Sequence, residues 1–239
     1  MKYFLLLTIL FVFATKAFCQ PVPAINKVQA EVPAKQDAQS WIADPDSVLA
    51  WLKSGNKEFL HGEFNGHGID SSLRIQVSKE QHPKAVILTC SDSRVSPELI
   101  FDKGLGDLFV IRVAGNVSDD AVVGSIEYAV EHLHTPLVVV MGHQSCGAIG
   151  AAVADLQDPA NKIDNHIRAL TDKIEQAIAS VNLKENDMNQ KALLSNVIFT
   201  VSSLRQSRPI LFEAAKNGHL KIVGAIYELA TGKVDWLEH

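Results

Sequence analysis

Leu137-Val138-Val139-Val140-Met141-Gly142-His143-Gln144-Ser145-Cys146-Gly147 is the stretch on which the reading of the fold turns. Its first five residues form an unbroken apolar run rich in β-branched side chains, the signature of a strand buried on both faces. The run passes directly into Gly142-His143, and Ser145-Cys146-Gly147 then opens an alanine-rich helical segment. A strand that feeds straight into a helix is the repeating unit of a parallel sheet. The same pattern appears on either side. Ala85-Val86-Ile87-Leu88, Leu108-Phe109-Val110-Ile111 and Ile222-Val223-Gly224-Ala225-Ile226 read as further buried strands. Between them, Ser96-Pro97-Glu98 starts a short helix with proline at a permitted first position. Val122, Ile126, Ala129, Val130 and Leu133 mark one helical face. Residues 162–216 carry mostly helical patterns, broken at Ser207-Arg208-Pro209, and Thr231-Gly232-Lys233-Val234 turns into a terminal strand. The predicted fold is α/β: a mainly parallel sheet of about four strands plus a C-terminal edge strand, flanked by helices.

The chain has 239 residues, 47% hydrophobic and 21% charged, enough for one sizeable domain with a full core. A formal net charge of -5 with no basic stripe argues against a nucleic-acid partner, and none is expected. No internal repeat is visible. The domain is expected over residues 44–239, opening at Asp44-Pro45-Asp46-Ser47, where acidic residues and a hydroxyl mark a helix start. Val48, Leu49, Trp51, Leu52, Phe59 and Leu60 follow at helical spacing, and Gly62 to Asp70 reads as loop.

The first residues stand apart. Lys2 gives a short positive region, Tyr3 to Ala14 is almost wholly apolar, and the small residues Ala14, Thr15 and Ala17 follow. This is the shape of a secretory signal peptide, expected over residues 1–19, with cleavage after Ala17 or Cys19. The apolar run falls short of the ~20 residues that span a bilayer, so no stable membrane insertion is expected after cleavage. Cys19 as a lipidated N-terminus is disfavoured by Lys16, where an aliphatic residue is wanted. Residues 20–43, with three prolines and no apolar period, read as a linker or arm. Export, with a bacterial periplasm as the destination, follows as an expectation.

Export sharpens the reading of the cysteines. With cleavage after Cys19 only Cys90 and Cys146 remain, and two thiols in an oxidising compartment suggest a disulfide. Their surroundings suggest a metal. Cys90 ends one apolar strand and lies in Thr89-Cys90-Ser91-Asp92-Ser93-Arg94; His143 ends another, three residues before Cys146. In a parallel α/β sheet ligands bind beyond the carboxyl ends of the strands, so these residues can meet. Two thiolates and one imidazole are zinc ligands, and three protein ligands leave a fourth position open, as in a catalytic site. A helix N-terminus behind Cys146 favours its thiolate. Asp92, two residues past a ligand, is a fourth ligand, a base on bound water or a loop residue. Arg94 is placed to pair with it and keep it ionised.

The runs Cys90-Ser91-Asp92-Ser93-Arg94-Val95 and Gly142-His143-Gln144-Ser145-Cys146-Gly147 resemble those of the β-class carbonic anhydrases. Phe109-Val110-Ile111-Arg112-Val113-Ala114-Gly115-Asn116, Gly124-Ser125-Ile126-Glu127-Tyr128-Ala129 and Thr231-Gly232-Lys233-Val234 extend the similarity, which runs from about Ser47 to the C-terminus. The resemblance implies one zinc ion per subunit on Cys90, His143 and Cys146, and reversible hydration of CO2 to bicarbonate and a proton by hydroxide generated on the metal. It implies an Asp92–Arg94 dyad in which the arginine holds the aspartate off the metal, or releases it to become a fourth ligand in a closed state. Gln81, nine residues before the first cysteine, and Tyr128, fifteen before the histidine, match substrate-contact positions; for Tyr128 simple packing on a helix face is the competing reading. The Gly147 amide is placed to help fix Asp92. The resemblance further implies dimers or tetramers with the site near the subunit boundary. Val113 departs from the family's usual asparagine, and tuning rather than loss is expected from it. Of the other histidines, His67 is the candidate for proton export. A zinc hydrolase of carbonyl sulfide or carbon disulfide and a zinc protein without turnover are the rival functions.

Overall fold

A computed structural model describes residues 43–63 and 70–237 of the chain. The expected signal peptide, nearly all of the arm and His67 lie outside the described residues. Eight helices and five strands follow one another among them: α1 (Pro45–His61), α2 (Ser71–Val77), β1 (Ala85–Thr89), α3 (Pro97–Ile100), β2 (Leu108–Arg112), α4 (Asp120–His132), β3 (Leu137–His143), α5 (Gly147–Gln157), α6 (Arg168–Ala177), α7 (Met188–Gln206), α8 (Ile210–Lys216), β4 (Lys221–Tyr227) and β5 (Val234–Leu237).

The strands form one sheet in the order β2-β1-β3-β4-β5. The first four are parallel and β5 is a C-terminal edge strand, as the sequence predicts; its pairing with β4 is antiparallel. Alternation along the strands sorts the core into two layers. Ala85, Ile87, Leu137, Val139, Met141, Val223 and Ala225 face α1 and α3, where Val48, Leu49, Leu52 and Ile100 meet them. Val86, Leu88, Val138, Val140 and Ile222 face α4, α7 and α8, packing on Ile126, Val197, Leu204 and Leu211. Each fully buried aliphatic side chain stabilises the fold by about 1.5–3 kcal/mol. All residues of β1 and β3 are buried, whereas the edge strand β2 is only half-buried.

Local chemistry starts and stops the helices where the sequence suggests. Asp44 caps α1, accepting a hydrogen bond from the Ser47 N–H at 2.9 Å, and Pro45 occupies the first turn. Gly62, at a φ of 70°, ends it in the left-handed conformation that glycine tolerates. Helix α2 is an addition. It is capped by Asp70 through the Leu73 N–H at 2.8 Å but buries no residue, so no apolar period announces it.

Strands β1 and β3 position the site. They are neighbours in parallel register, with Thr89 opposite Met141. One residue further, Cys90 comes level with Gly142 and next to His143. A third apolar cluster, from Val117, Ile149, Ile174, Ile178 and Ala192, packs around Cys90 and Cys146.

Candidate metal centre

Cys90, His143 and Cys146 are all buried, and their ligand atoms lie within 4.8 Å of one another. Cys90 sits at the end of β1. His143 is the last residue of β3, and Cys146 is the N-cap residue of α5. Between the last two the chain turns through Ser145, whose φ of 55° is left-handed and aims Cys146 back at the strand end. Gly142 precedes the histidine because α7 packs on its bare Cα. A Cβ there would stand 2.7 Å from Leu193 Cδ1 and 2.8 Å from Val197 Cγ2.

The two sulfurs are 3.9 Å apart and both cysteines are free, so they are not a disulfide. With Zn–S bonds of about 2.3 Å in a tetrahedron, two thiolates on one zinc ion stand about 3.8 Å apart. His143 Nδ1 faces the Gln144 carbonyl at 2.8 Å, which places the ring proton there and leaves Nε2 as the ligand atom. That Nε2 is buried without a hydrogen-bond partner among the described residues. An orphaned imidazole nitrogen beside two thiols at zinc spacing is a donor set that fits zinc and leaves one of four positions open.

Backbone groups prepare the sulfurs. The Gly115 N–H donates to Cys90 Sγ at 3.4 Å. The amides of Ala148 and Ile149, in the first turn of α5, point at the Cys146 sulfur. The two sulfurs are also hydrogen-bond partners of each other. The hydrogen bond between them pulls the Cys90 thiol well below its ordinary value and pushes Cys146 above. A metal held by this pair takes both sulfurs as thiolates and releases their protons.

Asp92 lies beside this cluster, with Oδ2 3.9 Å from His143 Nε2. Arg94 grips it as a fork: Nε donates to Oδ1 at 2.9 Å and Nη2 to Oδ2 at 2.8 Å, while the Arg94 backbone N–H also reaches Oδ1 at 2.9 Å. The side-chain bonds from Arg94, joined by its backbone bond, hold the Asp92 carboxyl well below the usual carboxylate range. The dyad expected from sequence is therefore formed, with the carboxylate drawn toward arginine. Gly147 opens α5, and no hydrogen bond joins it to Asp92 among the described residues.

Gln81 and Tyr128 lie elsewhere. Gln81 is exposed, four residues before the start of β1, whereas Cys90 follows its end. Five strand residues at about 3.3 Å each put roughly 16 Å of strand between the two ends. Tyr128, in the second half of α4, is 46% exposed, and its ring lies 6.4 Å from that of Phe109, near the beginning of β2. Both residues occupy the N-terminal edge of the sheet and the metal ligands its C-terminal edge.

Two contributors went unrecognised in the sequence. The Gly115 amide could not be foreseen, because any residue carries one; its φ of 73° is what turns it to the sulfur. Arg112 donates from Nη2 to the Asp92 carbonyl at 2.6 Å and from Nε to the Cys90 carbonyl at 3.2 Å. A single cation closing an apolar strand was its only signal. A cleft of about 520 Å³ adjoins the β3–α5 turn, lined by His143, Gln144, Cys146, Ile149, Gln190 and Leu193.

Comparison with known proteins agrees with this geometry. A carbonic anhydrase family profile matches residues 85–234. Carbonic anhydrase 2 of Mycobacterium tuberculosis is 41% identical over 197 residues, covering 80% of this chain and 93% of that protein. The carbonic anhydrase of Mycolicibacterium smegmatis is 38% identical over 204 residues, covering 80% and 94%. Among solved structures, the Coccomyxa β-carbonic anhydrase in complex with acetazolamide superposes with a TM-score of 0.63 at 27% identity, covering 82% of this chain and 86% of that one. One of two tetrameric β-carbonic anhydrases of Sordaria macrospora gives 0.61 at 25% identity, covering 81% and 94%. With the profile matched across the sheet, the nearly full-length relatives and a thiolate–imidazole–thiolate cluster of zinc dimensions, the chain belongs to the β-carbonic anhydrase family.

Proposed function

We propose that Cys90, His143 and Cys146 hold one zinc ion per subunit and that Asp92 and Arg94 act beside it in the reversible hydration of CO2 to bicarbonate and a proton. When bound, zinc supplies the Lewis acidity that yields hydroxide from water near neutral pH. The chain's own residues do the positioning. Asp92 accepts a hydrogen bond from the attacking water and so turns a lone pair toward the carbon of CO2. Arg94 fixes that acceptor, because both carboxylate oxygens are engaged in its fork. The same grip keeps Asp92 ionised and away from the open ligand position.

Gln81 and Tyr128 contact substrate from a second copy of the chain, since within one chain they stand at the opposite edge of the sheet. The uncovered edge strand β2, together with Leu99, Leu105 and Tyr128 exposed at 53%, 49% and 46%, supports self-association as a dimer or tetramer. The apolar leader at residues 3–14 supports export to the periplasm; no described helix is long and apolar enough to cross a membrane.

The observation that carries the functional reading is the convergence of three zinc-type ligand atoms within 4.8 Å beside an arginine-held carboxylate. Metal analysis with stopped-flow CO2 hydration tests it. One zinc per subunit and rapid hydration are expected. Asp92→Asn should keep the zinc and lose roughly 100-fold in kcat, the scale of removing one oriented polar contact to the reacting group. Full zinc content without CO2 hydration would overturn the function, and near-full activity of Asp92→Asn would overturn the role of the dyad.

A further inference from the structure

Arg112 is the last residue of β2 and lies across from Thr89, the residue before Cys90. Its side chain leaves the sheet edge and meets the turn that follows β1. Nε donates to the carbonyl of Cys90 at 3.2 Å and Nη2 to the carbonyl of Asp92 at 2.6 Å. One rigid guanidinium thus spans the backbone of a metal ligand and that of the dyad aspartate. The Asp92 carbonyl also accepts from the Val95 N–H at 3.0 Å, which closes the turn carrying Ser93 and Arg94. Arg94 fixes the carboxylate end of Asp92; Arg112 fixes its backbone end. No other side chain among the described residues makes a hydrogen bond to these two carbonyls.

We infer that Arg112 is a positioning residue for the reaction, holding Cys90 and Asp92 at a fixed separation by bridging their carbonyls. This rests on the reading that Asp92 orients the attacking water. Arg94 alone cannot perform the task, because Arg94 and Asp92 belong to the same turn. A clamp internal to the turn lets the turn move as a body relative to the end of β1, whereas Arg112 ties it to a neighbouring strand. The planar fork is essential to the role, since a lysine presents one point charge and cannot span both acceptors. The hydrogen bonds of Arg112 at the site go to the two backbone carbonyls, so its role is to act through the residues it holds.

The test uses the zinc-loaded, full-length protein with four variants: Arg112→Ala, Arg112→Lys, Asp92→Asn and the double variant Arg112→Ala/Asp92→Asn. Loss of two hydrogen bonds next to a charged group should lower kcat of Arg112→Ala at least about 10-fold with KM changed less than about twofold. Arg112→Lys, which retains the charge and the fold, should fall between wild type and Arg112→Ala. In the Asp92→Asn background the alanine substitution should lower kcat no further, because its effect passes through Asp92. A second readout is independent of turnover. Release of zinc to a chromogenic chelator should accelerate about 10-fold in both Arg112→Ala proteins, as the Cys90 carbonyl loses its tether. Arg112→Lys gives the same readouts where Arg112→Ala does not fold. Wild-type kcat and zinc release in the arginine variants, or a kcat cost that adds in full to that of Asp92→Asn, would overturn the inference. Wild-type activity of Asp92→Asn alone would instead overturn the dyad reading on which it rests.

Discussion

Each thiolate of the centre is stabilised by a different piece of backbone, Cys90 by the Gly115 amide and Cys146 by the first turn of α5. That division depends on close packing just behind the ligands, and Gly142 shows how close. Gly142→Ala would drive a methyl group against the side-chain methyls of Leu193 and Val197, which are buried on α7 and would have to shift. It should cost about 1–3 kcal/mol of stability in urea unfolding and displace His143 enough to weaken zinc binding in a chelator competition. At this scale the sequence speaks unevenly. Cys90, Asp92, Arg94, His143 and Cys146 declare themselves because their chemistry is rare and their spacing is local. Arg112 does not, because its partners are carbonyls 20 and 22 residues away and a carbonyl has no side-chain identity to read.

Besides its apolar packing on the sheet, helix α1 is tied to the rest of the fold by the hydrogen bonds of one buried polar side chain. Asn56 donates to the carbonyls of Ile100 at 3.1 Å and Gly232 at 2.9 Å, and its oxygen accepts from the Val234 N–H at 3.0 Å. It thereby ties α1 to α3 and to the hairpin between β4 and β5. Asn56→Ala removes three hydrogen bonds and strands buried carbonyl and amide groups, so a loss of about 2–4 kcal/mol is expected in chemical denaturation. A partner effect on the metal is not expected, because these contacts lie away from the ligands. The elements themselves were largely legible. Four apolar runs became the four parallel strands, and the break at Ser207–Pro209 separates α7 from α8. Helix α2 was silent, since a helix that buries nothing has no apolar face to leave a period in the sequence.

The whole molecule sets Gln81 and Tyr128 at one edge of the sheet and the zinc ligands at the other. If substrate contacts are shared between copies, two inactive variants should repair each other. Asp92→Asn mixed with Gln81→Ala, dissociated and reassociated, should give hybrids with one intact site and recover CO2 hydration that neither parent shows. Recovery that fails despite hybrid formation would place Gln81 outside the site. This separation was not legible, because motif spacing says which residues share a chemistry but not which subunit presents them. The register of the sheet was more eloquent. Cys90 and His143 meet because β1 and β3 pair with Thr89 opposite Met141. A slip of one residue would carry Cys90 about 3.3 Å along the strand and turn its side chain to the other face. Metal capture is therefore a checkpoint on assembly of the central strands. A refolding chain can gather zinc at full affinity only after its two innermost strands have found their native alignment, so the time course of zinc uptake is a clock for the step that builds the middle of the sheet.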